Sequence, residues 1–242
     1  MELENKVALV TGAGTTGGIG FHIAQALIAE GAEVLITGRD RQRGERAART
    51  LGGRTRFIRA DLNNPHEVNA LAGSADHVDI LVNNAAAFTA DPTIEQDAIT
   101  FDELISVNVR APYFLTAAIA PKMLVRGRGS IINVSSMVAQ LGTPGTSIYA
   151  ATKAALESLT RTWAAEFAEG GIRVNTITPG AVRTEKVISM IGDATEDLGK
   201  STLMGRIGEP REIAQVVLFL ASDRASYITG TNITVNGGRT TI

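Results

Sequence analysis

The segment YAATK, Tyr149 to Lys153, sets a phenol and an ammonium four residues apart. On a helix that spacing puts both side chains on one face, with Cβ atoms about 6 Å apart. A cation held there favours tyrosinate, because a neighbouring positive charge lowers the phenol from its ordinary value of about 10 toward the range useful for proton transfer. Alone the pair is weak evidence: with three tyrosines in the chain, an accidental lysine at that spacing arises about one time in five. A second group strengthens it. The run GSIINVSS ends in Ser135 and Ser136, and Ser136 stands thirteen residues before Tyr149. A serine at the end of such a strand can reach the same oxygen as the phenol, so that one group transfers a proton while the other holds the oxygen.

Groups so placed need a scaffold, and the chain shows one. Short apolar runs alternate with helical patterns: KVALVT, then GFHIAQALIAEGA, EVLITG, a charged helix from Asp40 to Leu51, and TRFIRAD. VDILVN, GSIINVSS, IRVNTITPG and NITVNGG continue the alternation. This pattern predicts an α/β fold of Rossmann type: a doubly wound, mostly parallel seven-stranded sheet in three layers, with residues 1–242 forming a single domain. Ligands of such sheets gather beyond the carboxyl ends of the strands.

Composition excludes several alternatives. With 23 Lys and Arg against 25 Asp and Glu the net charge is −2, so no global field favours nucleic acid or a membrane surface. There is no cysteine, which removes disulfides and thiolate metal sites. His22, His66 and His77 lack ligand spacing, and no metal is expected. No apolar run approaches the roughly 20 residues of a membrane span, and a cytoplasmic location is expected.

The first strand leads into TGAGTTGGIG, Thr11 to Gly20. Its glycines fit two registers: Gly12-x-Gly14-x-x-Gly17, or Gly12 with Gly18 and Gly20. Either way the loop precedes a helix N-terminus, whose free N–H groups and positive dipole end suit a pyrophosphate.

Taken in order, TGAGTTGGIG, Asp61-Leu62, NNAAA from Asn83, Asn108, Ser136, YAATK, PGAVRT and ITGTNITVNGG make the whole chain resemble the short-chain dehydrogenase/reductase family in its single-domain form. The resemblance implies a carbonyl or alcohol oxidoreductase with a nicotinamide dinucleotide. Tyr149 would be the general acid/base, and Ser136 would hydrogen-bond the reacting oxygen. Lys153 would hold the nicotinamide ribose and depress the Tyr149 pKa, while Asn108 would support a water on the proton path. The same resemblance fixes Gly12, Gly18 and Gly20 as the working glycines, with Ile19 between the last two, and makes the loop two residues longer than usual. The bulge then offers Thr15 or Thr16 to phosphate. Asp61 and Leu62 would frame the adenine, and Asn84 and Ala85 would line its ribose. Ala86 departs from the family's usual glycine and would crowd the cofactor or shift the loop. Pro179, Gly180, Val182 and Thr184 would wrap the nicotinamide.

NADP(H) is the expected cofactor, with NAD as the alternative. The end of the second strand carries Gly38 where NAD-selective sites place a carboxylate. Arg39 follows, and its guanidinium suits a 2′-phosphate. Asp40 comes next and could instead turn inward to the ribose. The expected partners are a small carbonyl or alcohol substrate and further copies of this chain. A homotetramer, or failing that a dimer, is predicted from apolar residues on 111–124 and 154–167, Trp163 among them. Two other functions compete. One is a 3-oxoacyl-(acyl-carrier-protein) reductase, which GRIGEPREIAQVVLFLASDRASYITG also resembles and whose acidic partner Arg126 and Arg128 could dock. The other is a dinucleotide binder without catalysis. Residues 185–203 are expected to form a mobile flap, and Met137, Leu141, Met190 and Ile191 to give an apolar pocket wall, with no charged residue placed to declare a substrate anion.

Overall fold

The computed structural model describes residues 1–241, apart from the side chain of Asp193. Strands β1 (Val7–Val10), β2 (Glu33–Gly38), β3 (Thr55–Arg59), β4 (Ile80–Asn83), β5 (Gly129–Val134), β6 (Ile172–Pro179) and β7 (Asn232–Val235) form one sheet in the order β3-β2-β1-β4-β5-β6-β7. Every neighbouring pair is parallel. The order reverses between β1 and β4, and the crevice at such a switch point is where a doubly wound sheet takes its ligand.

Nine α-helices among the described residues cover the faces: α1 (Ile19–Ala29), α2 (Arg41–Leu51), α3 (Pro65–Ser74), α4 (Ala98–Ile105), α5 (Ala111–Arg126), α6 (Ser147–Phe167), α7 (Glu185–Ile191), α8 (Thr195–Lys200) and α9 (Pro210–Ala221). Alternate strand residues point to opposite faces, which divides the core in two. Val10, Ile36, Val82 and Ile132 pack with Ile23, Leu27, Ile213 and Val217 of α1 and α9. Their neighbours Leu9, Leu35, Leu81 and Ile131 pack with Leu71, Leu115, Ile119 and Trp163 of α3, α5 and α6. Trp163 is therefore a core residue, contrary to its expected place on an interface; at this register of α6 the indole faces the sheet. The apolar residues left exposed near it are Phe101, Ile105, Tyr113 and Phe114.

Buried polar groups tie the central strands together. The Asn83 amide donates to Asn133 Oδ1 at 2.9 Å, the Asn133 amide to Thr160 Oγ1 at 2.8 Å, and Thr160 meets Thr176 at 2.6 Å. Such a chain specifies strand register, since a slip would leave each group unpaired. At the amino ends of the strands, Arg126 and Arg128 lie 3.8 Å from the buried Asp79 carboxylate, which also accepts from the Val7 N–H. These arginines stand at the opposite end of β5 from Ser136.

Candidate active site

The carboxyl end of β5 separates the two serines. Ser135 is buried, and its hydroxyl donates to Glu157 Oε1 at 2.7 Å. Ser136, one residue beyond, has extended backbone (φ −159°) and is half-buried before the short turn Met137–Ala139. Its hydroxyl lies near enough to the Tyr149 phenol to lower that group's proton affinity. Glu157 in turn accepts from Thr178 at 3.1 Å, so this carboxylate, two turns beyond Tyr149 on α6, ties that helix to β5 and β6.

Lys153 lies on the same face of α6, with Nζ 5.7 Å from the Tyr149 ring centroid. It is buried and donates to the Val134 carbonyl at 2.8 Å. Burial lowers its pKa to about 8. The Tyr149 phenol is pushed up to about 12 by burial, with the Ser136 hydroxyl acting in the opposite direction. The phenol thus stands above its ordinary value, where a depression by Lys153 was expected: desolvation of tyrosinate is the larger cause, and the Lys153 ammonium is anchored on the Val134 carbonyl.

Asn108 is buried in a π-helical turn, Ser106–Arg110, that joins α4 to α5. Single π turns inside α-helices re-aim one side chain. Here the Asn108 Oδ1 accepts from the Ala87 N–H at 2.8 Å, while Nδ2 donates to the Ala87 carbonyl at 2.9 Å and to Thr152 Oγ1 at 3.0 Å. Thr152 donates to the Tyr149 carbonyl at 2.7 Å. Both amide hydrogens are committed, so the side chain acts by positioning: it fixes the loop after β4 to the helix that carries Tyr149.

Sterics single out Gly12 and Gly20 in the glycine loop, while Gly17, where a Cβ would come within 3.0 Å of the Glu185 Cβ, is closer packed than Gly18, at 3.3 Å from the Thr15 carbonyl. Gly12 has φ +68° and a Cβ there would meet the Ala85 Cα at 2.7 Å; one at Gly20 would meet the Asn84 amide at 2.5 Å and the Gly12 carbonyl at 2.8 Å. Gly14 has no such constraint: its nearest contact would be 3.5 Å. Gly18 is the N-cap and α1 begins at Ile19, with no side-chain cap on its first N–H groups. Thr15 and Thr16 form the tip, and the Gly17 carbonyl accepts from the Glu185 N–H of α7 at 3.4 Å. The longer loop therefore meets the flap.

Asn84, expected on the ribose wall, has its side-chain amide tied to the loop after β1. Its side chain donates to the Thr11 carbonyl at 2.8 Å and the Gly12 carbonyl at 3.3 Å, locking the glycine loop to β4. Thr11, unremarked in the sequence, accepts from the Asn84 and Ala85 N–H groups at 3.0 Å each. Ala86 is exposed. Leu62 is buried after β3, and the Asp61 N–H donates to Glu67 at 2.7 Å.

Arg39 is largely exposed and lies 3.4 Å from Glu103 of α4. Asp40 does not turn inward: it caps α2, accepting from the Arg43 N–H at 2.9 Å and the Arg43 side chain at 3.0 Å. Beyond β6, Gly180 packs against the Asn236 backbone, where a Cβ would come within 2.8 Å. Val182 forms a parallel bridge with Gly208 that uses the Ala181 carbonyl and the Arg183 N–H. The Val182 N–H consequently faces away from Gly208. Thr184 caps α7, its hydroxyl oxygen accepting from the Val187 N–H at 3.2 Å, which leaves the hydroxyl hydrogen to donate.

These features fit a nicotinamide dinucleotide. An uncapped helix N-terminus sits behind a loop closed at Gly12 and Gly20 to any side chain, Gly38 replaces the acid that would repel a 2′-phosphate with Arg39 next to it, and donors at Val182 and Thr184 suit a carboxamide. Sequence reasoning missed Phe88, whose ring stands edge-on to Tyr149 with centroids 4.9 Å apart, and Lys186, whose Nζ lies 5.7 Å from the Phe88 centroid. No periodicity marks either residue.

Comparison with known proteins gives a consistent result. Residues 12–240 match the family described as enoyl-(acyl carrier protein) reductase. A solved structure of a short chain dehydrogenase/reductase family protein is 51% identical, with a TM-score of 0.95 over 100% of both chains. A gluconate 5-dehydrogenase from Burkholderia cenocepacia, in complex with NADP and tartrate, is 32% identical with a TM-score of 0.92, covering 100% of this chain and 97% of that one. A 3-oxoacyl-(acyl-carrier-protein) reductase from Rickettsia felis is 35% identical over 238 residues, 98% of each chain.

Proposed function

Because the chain belongs to the short-chain dehydrogenase/reductase family, oxidoreductases that act on CH–OH and C=O groups with NAD(P), we propose that it interconverts a carbonyl and a secondary alcohol with NADP(H) and Tyr149 as general acid/base. The observation that carries this reading is the convergence of Tyr149, Ser136 and Lys153 at the carboxyl edge of the sheet. The bound nicotinamide supplies the hydride chemistry. Gly12, Ile19 and Gly20 line its pyrophosphate site, Asp61, Leu62 and Ala85 the adenosine, and Pro179, Gly180, Val182 and Thr184 the nicotinamide.

In reduction the Tyr149 hydroxyl donates its proton to the carbonyl oxygen, which the Ser136 hydroxyl holds in place. A phenol pushed up to about 12 is protonated at neutral pH, so the proton to be donated is in place. Lys153, the cation beside it, holds the ribose hydroxyls. Asn108 keeps Tyr149 and the Ala87 loop in register. A purely binding role is disfavoured because it would have no need of all three groups.

Arg39 gives the NADP(H) preference, supported by the absence of an acid at Gly38 and by the engagement of Asp40 in its cap. The test is kcat/KM with NADPH and NADH for wild type and Arg39→Ala. NADPH should lead by about tenfold to a hundredfold, the worth of a charge-assisted hydrogen bond, and Arg39→Ala should lose most of that lead. A wild-type preference for NADH, or a ratio unmoved in the variant, refutes the assignment.

The Rickettsia relative favours a second reading, reduction of 3-oxoacyl thioesters on a carrier protein. A panel of ketones, sugars, steroids and acyl thioesters separates the two, since only this reading expects thioesters to dominate. The groove lined by Ile105, Val109, Tyr113, Phe114 and Leu159 supports assembly with further copies of the chain, as a homotetramer.

A further inference from the structure

Lys186 is a charged residue of the flap that lies close to the reacting group. It lies on α7, is exposed, and sets its Nζ 5.7 Å from the centroid of Phe88, the ring that packs edge-on against Tyr149. Two neighbours act on it electrostatically: Arg39 opposes its charge and Glu103 favours it, while burial opposes it most. Glu103 is already engaged with Arg39, and Lys186 makes no salt bridge to a described residue. A ring face compensates an ammonium only in part, and no acceptor among the described residues takes its three N–H donors, which leaves them to water or to a ligand.

Resting on the reading above, we propose that Lys186 recognises an anionic group on the substrate, so that the preferred substrate carries a carboxylate or phosphate on the molecule whose carbonyl or hydroxyl meets Tyr149. The rival occupant, a phosphate of the dinucleotide, fits less well. The uncapped start of α1 serves the pyrophosphate from the glycine loop, whereas Lys186 is held over Phe88 on the Tyr149 side of the loop after β4. Arg39, the residue assigned to the 2′-phosphate, lies close enough to act on Lys186, so NADPH affinity is the measurement that separates the two occupants. The flap thus brings the charge that the apolar wall of Met190 and Ile191 lacks.

The test uses the full-length protein, with kcat/KM for 2-, 3- and 4-oxo acids, each paired with its methyl ester, and for neutral ketones. NADPH affinity is measured separately by fluorescence. Wild type should favour acids over esters by about tenfold to a hundredfold, the scale of one charge-assisted hydrogen bond. Lys186→Met should abolish that preference, leaving ester turnover within about threefold and NADPH affinity within about twofold; Lys186→Arg should restore most of it. Esters favoured by wild type, equal losses for acids and esters in Lys186→Met, or an NADPH affinity weakened fivefold or more would each overturn the assignment. Turnover of neutral ketones without any oxo acid would overturn it too, yet leave the proposed activity standing. No turnover of any carbonyl would bring both down.

Discussion

At Lys153 two requirements oppose each other, since the site needs a cation beside the phenol but burial penalises one. The outcome is a lysine lowered to about 8 from its ordinary 10.5, beside a tyrosine raised to about 12 from 10.0. Between pH 8 and 10.5 the unfolded lysine holds a proton that the folded one has lost, so stability rises with pH across that window. The upper limit of the gain is ~3 kcal/mol. Between pH 10 and 12 the unfolded phenol has lost a proton that the folded one keeps, and stability falls. Urea midpoints of the protein without added dinucleotide should therefore climb from pH 8 toward 10, while those of Lys153→Met stay level. Parallel curves for the two proteins would show that Lys153 folds with its ordinary proton affinity.

At the scale of elements, the glycine loop, the end of β4 and the π turn act as one frame. Thr11 and Asn84 lock loop to strand, and Asn108 locks the next loop to α6. Gly20→Ala should break the first lock, because the added methyl meets the Gly12 carbonyl and the Asn84 amide. A loss of dinucleotide affinity of about tenfold or more is expected with the fold intact, measured by fluorescence titration and circular dichroism. Unchanged affinity would show that the loop relaxes freely. All seven strands were legible in the sequence because their apolar runs are short and bounded by turn residues, as in EVLITG for Glu33–Gly38. Ser136 rather than Ser135 was legible only through the family resemblance, because the two are the same residue type and are separated only by which side of the strand each faces. The π turn at Asn108 was hidden: its five-residue step interrupts a pattern that reads as continuous helix. Phe88 and Lys186 meet only through the return of the flap, 98 residues later in the chain.

For the whole molecule, the sheet gathers residues from 12 to 184 along one edge and leaves an apolar face on the outside of α4, α5 and α6. Tyr113 and Phe114 are 46% and 51% exposed there, more than a face turned to water explains. Light scattering at micromolar concentration should give a multiple of the 25.4 kDa chain mass, and Phe114→Glu should reduce that multiple. A wild-type mass of one chain would refute assembly through this face. The central claim is that this scaffold exists to hold a transferable proton at Tyr149. Its most direct test follows NADPH oxidation by wild type and Tyr149→Phe with the same carbonyl substrate, chosen from the panel by wild-type turnover. The phenylalanine variant should lose turnover by at least a hundredfold, within the roughly 10²–10⁴-fold range of general acid–base catalysis, while binding NADPH within a few-fold of wild type. Substantial turnover by Tyr149→Phe would contradict the account.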